Sequence, residues 1–99
     1  MKIRARTDGA QTEVKVLMSH EMETGRRKSG QGELVPAHFI QRVSVKHGAR
    51  TVLSAQWGTA VSKNPFLSFK FSGGAKGERI TVTWFDNMGE SRTDDALIV

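Results

Sequence analysis

The 99-residue sequence contains no cysteine and no tyrosine. Without cysteine there can be no disulfide, cysteine-ligated zinc, iron–sulfur cluster or thiol catalysis. Long apolar runs are also missing, and no segment approaches the roughly 18 residues that a membrane span needs. The first six residues lack the apolar stretch of a secretory signal. We therefore expect a soluble protein with no membrane partner and no signal peptide of its own.

Length and charge narrow the class of protein further. A chain of 99 residues makes a single domain, residues 1–99, with a core large enough to fold without metal or disulfide staples. Fifteen Lys and Arg against ten Asp and Glu give a net charge of +5. A basic surface favours anionic partners, which include acidic proteins and nucleic acids. The aromatic residues fall mainly on the apolar side of the strand pattern, so nucleic acid or another anionic partner remains only the alternative.

Apolar and polar residues alternate with a period of two in most of the chain, which is typical of half-buried antiparallel strands. The strand-like segments are residues 3–5, 14–18, 39–45, 53–57, 67–71, 80–84 and 96–99, the last after a polar lead-in at residues 91–95. Turn sequences rich in glycine separate several of them. This pattern predicts an all-β fold, an Ig-like antiparallel β-sandwich of about seven strands without the cysteine pair of antibody domains.

A polar stretch of seventeen residues, 20–36, interrupts the strand pattern. Long loops are uncommon in compact domains and often carry function. Arg26, Arg27 and Lys28 form a cationic cluster beside Gly25. We interpret this stretch as a docking loop that steers an acidic partner, and the residues assigned to it are His20, Met22, Arg26, Arg27 and Lys28.

Four apolar residues lie opposite the main apolar face of their strands: Ile40, Val52, Phe66 and Phe85. A second apolar surface on a small sandwich is typical of a protein–protein interface. We therefore predict that these four residues contribute to a partner interface.

The sequence offers little that could form a catalytic or metal site. His20, Met22 and His38 would be candidate copper ligands, but a soft copper site usually needs a thiolate, and the spacing does not force His38 near the other two. Asp94 and Asp95 are adjacent, so on a strand their side chains would point to opposite faces and could not act together as a catalytic pair. The glycine-rich residues 73–77 lack the spacing of a phosphate-binding loop and are better interpreted as a turn. We expect no enzyme activity, no cofactor and no metal.

Six segments together carry a resemblance to a known family. They are MSHEMETGRR (18–27), VPAHFI (35–40), VSVKH (43–47), AQWG (55–58), SKNPFLSFKF (62–71) and WFDNMGESRTD (84–94). In these segments the chain resembles the SoxZ family, the small subunit of the SoxYZ sulfur-carrier complex of thiosulfate oxidation. The resemblance spans nearly the whole chain. Glu21 departs from it, since the family pattern has proline after the histidine.

The resemblance implies an Ig-like sandwich that forms a heterodimer with SoxY. In that family SoxY ends in a Gly-Gly-Cys-Gly-Gly arm, and its cysteine carries covalent sulfur intermediates while Sox enzymes act on them. The absence of cysteine is consistent with the role that the resemblance implies, that of a non-catalytic subunit that supports SoxY and helps present the carrier to the Sox enzymes. The resemblance also implies a periplasmic location, reached by export together with the signal-bearing partner.

Overall fold

Seven strands form two antiparallel sheets that pack face to face. The computed structural model describes residues 1–99. The strands are β1 (Lys2–Thr7), β2 (Gln11–Leu17), β3 (Ile40–His47), β4 (Arg50–Gln56), β5 (Phe66–Ser72), β6 (Arg79–Asp86) and β7 (Ser91–Leu97). One sheet has the order β1-β2-β5, and the other has the order β4-β3-β6-β7. The predicted Ig-like β-sandwich is confirmed. The fold contains no helix that is long and apolar enough to span a membrane.

The core lies between the central strands of the two sheets. The period-two pattern turns alternate apolar side chains of β2, β3 and β6 inward, where Val14, Val16, Val45, Ile80 and Val82 are fully buried. Burial of each such side chain contributes about 1.5–3 kcal/mol relative to exposure. The inner faces of these three strands supply eight of the thirteen buried core residues.

The two sides of the sandwich are closed to different degrees. On one side Ile98 pairs with Ala5 in a parallel bridge. The Val99 amide donates to the Ala5 carbonyl at 2.9 Å, and the Thr7 amide donates to the Val99 carbonyl at 3.0 Å. On the other side β4 and β5 are the last strands of their sheets. The last two residues thus pair with part of the β1 edge, whereas β4 and β5 have no neighbouring strand on their outer edges.

A β-bulge at the start of β3 corrects one prediction. Ile40 pairs with Asp86 and Arg42 pairs with Phe85, so Gln41 is an extra residue without a partner on β6. The extra residue shifts the alternation by one position. Ile40 is therefore turned inward and is 0% exposed. The prediction that Ile40 belongs to an outward apolar surface is wrong, because a strict period of two does not hold across a bulge.

A second irregularity affects Val52. Val45 pairs with Leu53 and Lys46 pairs with Thr51, so Val52 is the extra residue on β4. Its side chain is half-buried and packs against the core rather than standing on the outer face.

Phe66 and Phe85 do point outward, with exposed fractions of 62% and 40%. Phe66 belongs to the three-stranded sheet and Phe85 to the four-stranded sheet. The four residues assigned to a partner interface therefore do not form one surface.

The last strand begins earlier than its apolar residues predict. Residues 91–95 were expected to lead into the strand, but β7 runs from Ser91 to Leu97. Polar cross-strand pairs with β6 take the place of apolar alternation here: the hydroxyls of Thr83 and Thr93 lie 2.9 Å apart, and Arg79 contacts Asp95 at 2.9 Å. Such pairs stabilise an outer strand without burying apolar surface.

The glycine-rich turn after β5 yields a test of the packing. Gly74 has φ +89° and a Cβ at this position would collide with the Thr12 hydroxyl, which donates to the Gly73 carbonyl at 2.7 Å. Gly77 has φ +88° with nothing near its missing Cβ. Both G74A and G77A place alanine in a left-handed backbone conformation, which costs free energy, but only G74A also places its Cβ against the Thr12 side chain. We expect G74A to lower the free energy of unfolding by about 1–3 kcal/mol more than G77A does.

Urea denaturation of the two variants and the wild type measures this difference. Equal losses in G74A and G77A would show that Thr12 and its surroundings give way to the added methyl group.

Candidate functional site

The connection between β2 and β3 is an ordered arm rather than a structureless loop. Glu23 bridges to His38 in antiparallel fashion, and Lys28 does the same with Leu34. The Glu23 amide donates to the His38 carbonyl at 2.6 Å, and the His38 amide donates back to the Glu23 carbonyl at 3.0 Å. Residues 23–38 therefore form a short hairpin, which we call the hairpin arm.

His20 and Met22 hold the base of the hairpin arm in the protein interior, where they are 7% and 5% exposed. The Met22 backbone has φ 50°, a conformation that non-glycine residues seldom adopt. Its amide donates to His20 Nδ1 at 3.0 Å, and the Ile40 amide donates to Met22 Sδ at 3.3 Å. Burial removes His20 and Met22 from any docking surface of the arm, so this part of the prediction is wrong.

The carboxylate of Asp86, at the end of β6, joins the arm to the body of the sandwich. Asp86 Oδ2 lies 3.0 Å from His20 Nε2 and 2.9 Å from His38 Nε2. Asp86 Oδ1 accepts the backbone amides of Met88 at 3.0 Å and Glu90 at 2.9 Å. One buried carboxylate thus fastens both ends of the arm and the turn between β6 and β7.

Glu90 adds a second carboxylate to His38. Its Oε1 atom lies 2.8 Å from His38 Nε2, and unlike Asp86 the Glu90 side chain is exposed. We call His20, His38, Asp86 and Glu90 the Asp86 cluster. Trp84 packs edge-on against the His20 ring, with the ring centres 5.1 Å apart, and this contact fixes the orientation of the buried imidazole.

The Asp86 cluster perturbs two pKa values. Burial of His38 lowers its pKa, but the hydrogen bonds to Asp86 and Glu90 outweigh burial and raise the pKa above its usual value. Burial raises the pKa of Asp86, but hydrogen bonds from His20, the Glu90 amide and His38 outweigh it, and the pKa of Asp86 is lowered. The cluster therefore favours an ionised Asp86 and a protonated His38.

The nitrogen and oxygen atoms of His20, His38 and Asp86 lie within 4.8 Å of one another, close enough to be tested as a metal site. The Met22 amide donates to His20 Nδ1, so the ring hydrogen of a neutral His20 is on Nε2, the atom that faces Asp86. A protonated ring nitrogen has no lone pair for a metal ion. The arrangement fits a hydrogen-bond network in which both imidazoles donate to one carboxylate.

The sequence interpretation missed this cluster. It found no reason for His38 to lie near His20, yet the two rings are 4.6 Å apart in the structure. Asp86 entered the sequence interpretation as part of the resemblance segment 84–94, not as a candidate site residue. No local spacing predicts the arrangement, because the two ends of the β2–β3 connection meet Asp86 at the end of β6 only in the folded chain.

The cationic cluster of the arm is smaller than the sequence suggests. Arg27 makes a bidentate contact with Glu23, with its Nη2 atom 2.8 Å from Glu23 Oε1. Arg26 and Lys28 are exposed and make no ion pair. Of the basic residues assigned to docking, only Arg26 and Lys28 present an uncompensated charge to solvent.

Comparison with known protein families identifies the family to which the chain belongs. The family model described as sulphur oxidation protein SoxZ matches residues 1–96. The chain belongs to the SoxZ family. This SoxZ-family chain therefore takes part in the sulfur oxidation (Sox) system, as the sequence resemblance implied. No curated protein matches the chain significantly.

The raised pKa of His38 makes a prediction for stability against pH. The folded state binds the His38 proton more tightly than the unfolded state does, so the extra stability is complete below about pH 6.5, the ordinary value for histidine. It is lost as the pH rises through the higher folded-state pKa. In H38Q the amide can still donate to Asp86 but does not titrate, so we expect a smaller fall in the free energy of unfolding over this range.

Urea denaturation of wild type and H38Q between about pH 5 and about pH 9 measures the two slopes. Parallel curves would contradict a coupling between His38 protonation and folding.

Proposed function

We propose that this SoxZ-family chain is the non-catalytic subunit of a heterodimer with a SoxY-like protein. The partner carries covalent sulfur intermediates on the cysteine of a C-terminal Gly-Gly-Cys-Gly-Gly arm during thiosulfate oxidation. The observation that supports this most is the family match over residues 1–96 in a chain with no cysteine. Such a chain has no thiol on which to carry sulfur, so the thiol must come from the partner.

The Asp86 cluster fits a supporting subunit. Both oxygens of Asp86 are engaged by hydrogen bonds from side chains and backbone amides. A carboxylate satisfied in this way orients its neighbours and fixes the chain around it. We propose that the cluster holds the hairpin arm in one position so that the heterodimer offers a constant surface to the Sox enzymes.

The tip of the hairpin arm is the proposed contact for those enzymes. Arg26 and Lys28 are exposed cations on an ordered hairpin, so they can steer an acidic protein surface during encounter. The proposed location is the periplasm, reached by export of the folded pair with the signal of the partner. A chain that completes its own core before transport suits that route.

The decisive experiment is native mass spectrometry of the chain co-expressed with a SoxY-like protein that bears the cysteine arm. We expect a one-to-one complex that survives gel filtration, with thiosulfate-derived mass added to the partner alone. Replacement of the arm cysteine by serine should abolish the adduct and leave the complex intact. Recovery of the chain without the partner would refute the proposed function.

The steering role makes a separate prediction about rates. In R26E/K28E, two exposed cations become anions, and association of the heterodimer with a Sox enzyme should slow by roughly tenfold at low ionic strength, with the difference shrinking as salt is added. R4E/K76E makes the same double reversal at an exposed arginine of β1 and an exposed lysine of the glycine-rich turn, neither of which makes an ion pair, and serves as the matched control. Stopped-flow or biosensor kinetics measures the rates. An association rate that R26E/K28E leaves unchanged at low salt would contradict steering by the arm.

A further inference from the structure

The charges of the chain are distributed unevenly. No Asp or Glu occurs between residues 34 and 77, whereas this segment contains six basic residues: Arg42, Lys46, Arg50, Lys63, Lys70 and Lys76. All of β3, β4 and β5 lies within it. Two of the four terminal strands of the sheets, β4 and β5, are among these three strands, and none of the three carries a carboxylate.

A groove crosses the outer face of the four-stranded sheet at the β4 side of this region. It has a volume of about 640 Å³, and its walls are formed by Phe39, Gln41, Arg42, Gln56, Trp57, Phe85 and Asp86. The Asp86 side chain is buried and both of its oxygens accept hydrogen bonds within the Asp86 cluster, so Arg42 is the charged group that the groove offers to an occupant. A second hollow of about 280 Å³ shares Arg42 and Phe85 and continues over the small side chains of Ser44, Thr51 and Ser54. We call the two together the β4 groove.

Arg42 and Phe85 stand where the two hollows meet. The Arg42 guanidinium lies 4.9 Å from the centre of the Phe85 ring and makes no ion pair. Phe85 is 40% exposed. A guanidinium that is held over an aromatic ring and has no ion-pair partner is well placed to bind a carboxylate. The β4 groove thus combines an apolar wall with an unpaired cation, which favours an occupant that is both apolar and acidic.

The strand beside the groove is open to pairing. β4 ends its sheet, contains no proline, and has a single charged residue, Arg50. Even that side chain turns aside, since its Nη2 atom donates to the Ser72 carbonyl at 3.1 Å. Charges, prolines and bulges are the usual devices that keep an edge strand from pairing. β4 has one charge and the bulge at Val52, and residues 53–56 beyond the bulge pair with β3 in regular register. An extended segment can therefore add to β4 and place alternate side chains over the groove.

We propose that the β4 groove and the free edge of β4 bind an extended, acidic segment of the partner subunit. The segment hydrogen-bonds to the edge, sets an apolar side chain against Phe85 and Trp57, and pairs a carboxylate with Arg42. This assignment rests on the proposed heterodimer. The outer face of the other sheet is a weaker candidate: Phe66 pairs there with Leu17, but Glu13 and Lys15 on the same strand mix both charges.

Four variants and a partner that carries the cysteine arm test the proposal. F85A removes the apolar wall, and F66A removes a more exposed phenylalanine from the opposite sheet. R42E reverses the groove cation, and R4E makes the same change at an exposed, unpaired arginine of β1. We expect F85A and R42E each to weaken the heterodimer by roughly tenfold or more, while F66A and R4E stay within about twofold. Circular dichroism verifies that each variant is folded.

Hydrogen exchange adds a readout that needs no substitution. In the heterodimer the amides of β4 should exchange more slowly than in the free chain, and those of β1 should not change. If the complex forms but F85A and R42E bind like wild type, the groove assignment is overturned and the proposed function stands. If no complex forms, both are overturned. Salt-sensitive binding of a thymidine oligonucleotide that R42E abolishes would also overturn the assignment, in favour of nucleic acid.

Discussion

The position of the hairpin arm and of the β6–β7 turn on the sandwich depends on one buried carboxylate. Asp86 receives hydrogen bonds from two imidazoles that are eighteen residues apart in the chain and from two amides of the turn that follows it. A buried charge is tolerated only when it is paired and fully hydrogen-bonded, and these four donors come from three separate parts of the chain. The same contacts therefore stabilise the negative charge of Asp86 and hold in place the base of the hairpin arm, the start of β3 and the turn before β7.

Much of the fold was predictable because the strands obey a simple rule. Alternation along β2 and β6 places apolar side chains on one face, and glycine-rich turns mark where the strands end. The rule fails at two places for a physical reason. Gln41 and Val52 are bulge residues, and each shifts the alternation by one position, so Ile40 is buried and Val52 half-buried against the core. A bulge leaves no reliable mark in a single sequence.

The functional residues were less predictable than the strands. The cationic cluster of the arm was visible as a run of letters, but the contact between Arg27 and Glu23 that cancels part of it was not. The Asp86 cluster depends on residues from three separate segments. The family, by contrast, could be recognised from ordered strings of residues that extend over nearly the whole chain, and the family match confirms it. Family resemblance draws on residues along the whole chain, whereas a site predicted from local sequence motifs draws only on residues that are close together in the sequence.

The bulge at Gln41 determines which side chains of β3 are exposed to solvent, as well as which are packed in the core. A regular strand shows every second side chain to solvent, so two consecutive residues cannot both stand on one face. Here Gln41 and Arg42 are both exposed, between the buried Ile40 and Val43. The residues before and after the bulge, Ile40 and Val43, are therefore both buried in the core. Between them, the amide of Gln41 and the guanidinium of Arg42 are exposed next to each other. Loss of a single residue at this point would exchange inside for outside along the first part of β3, so the length of this segment is constrained as tightly as its composition.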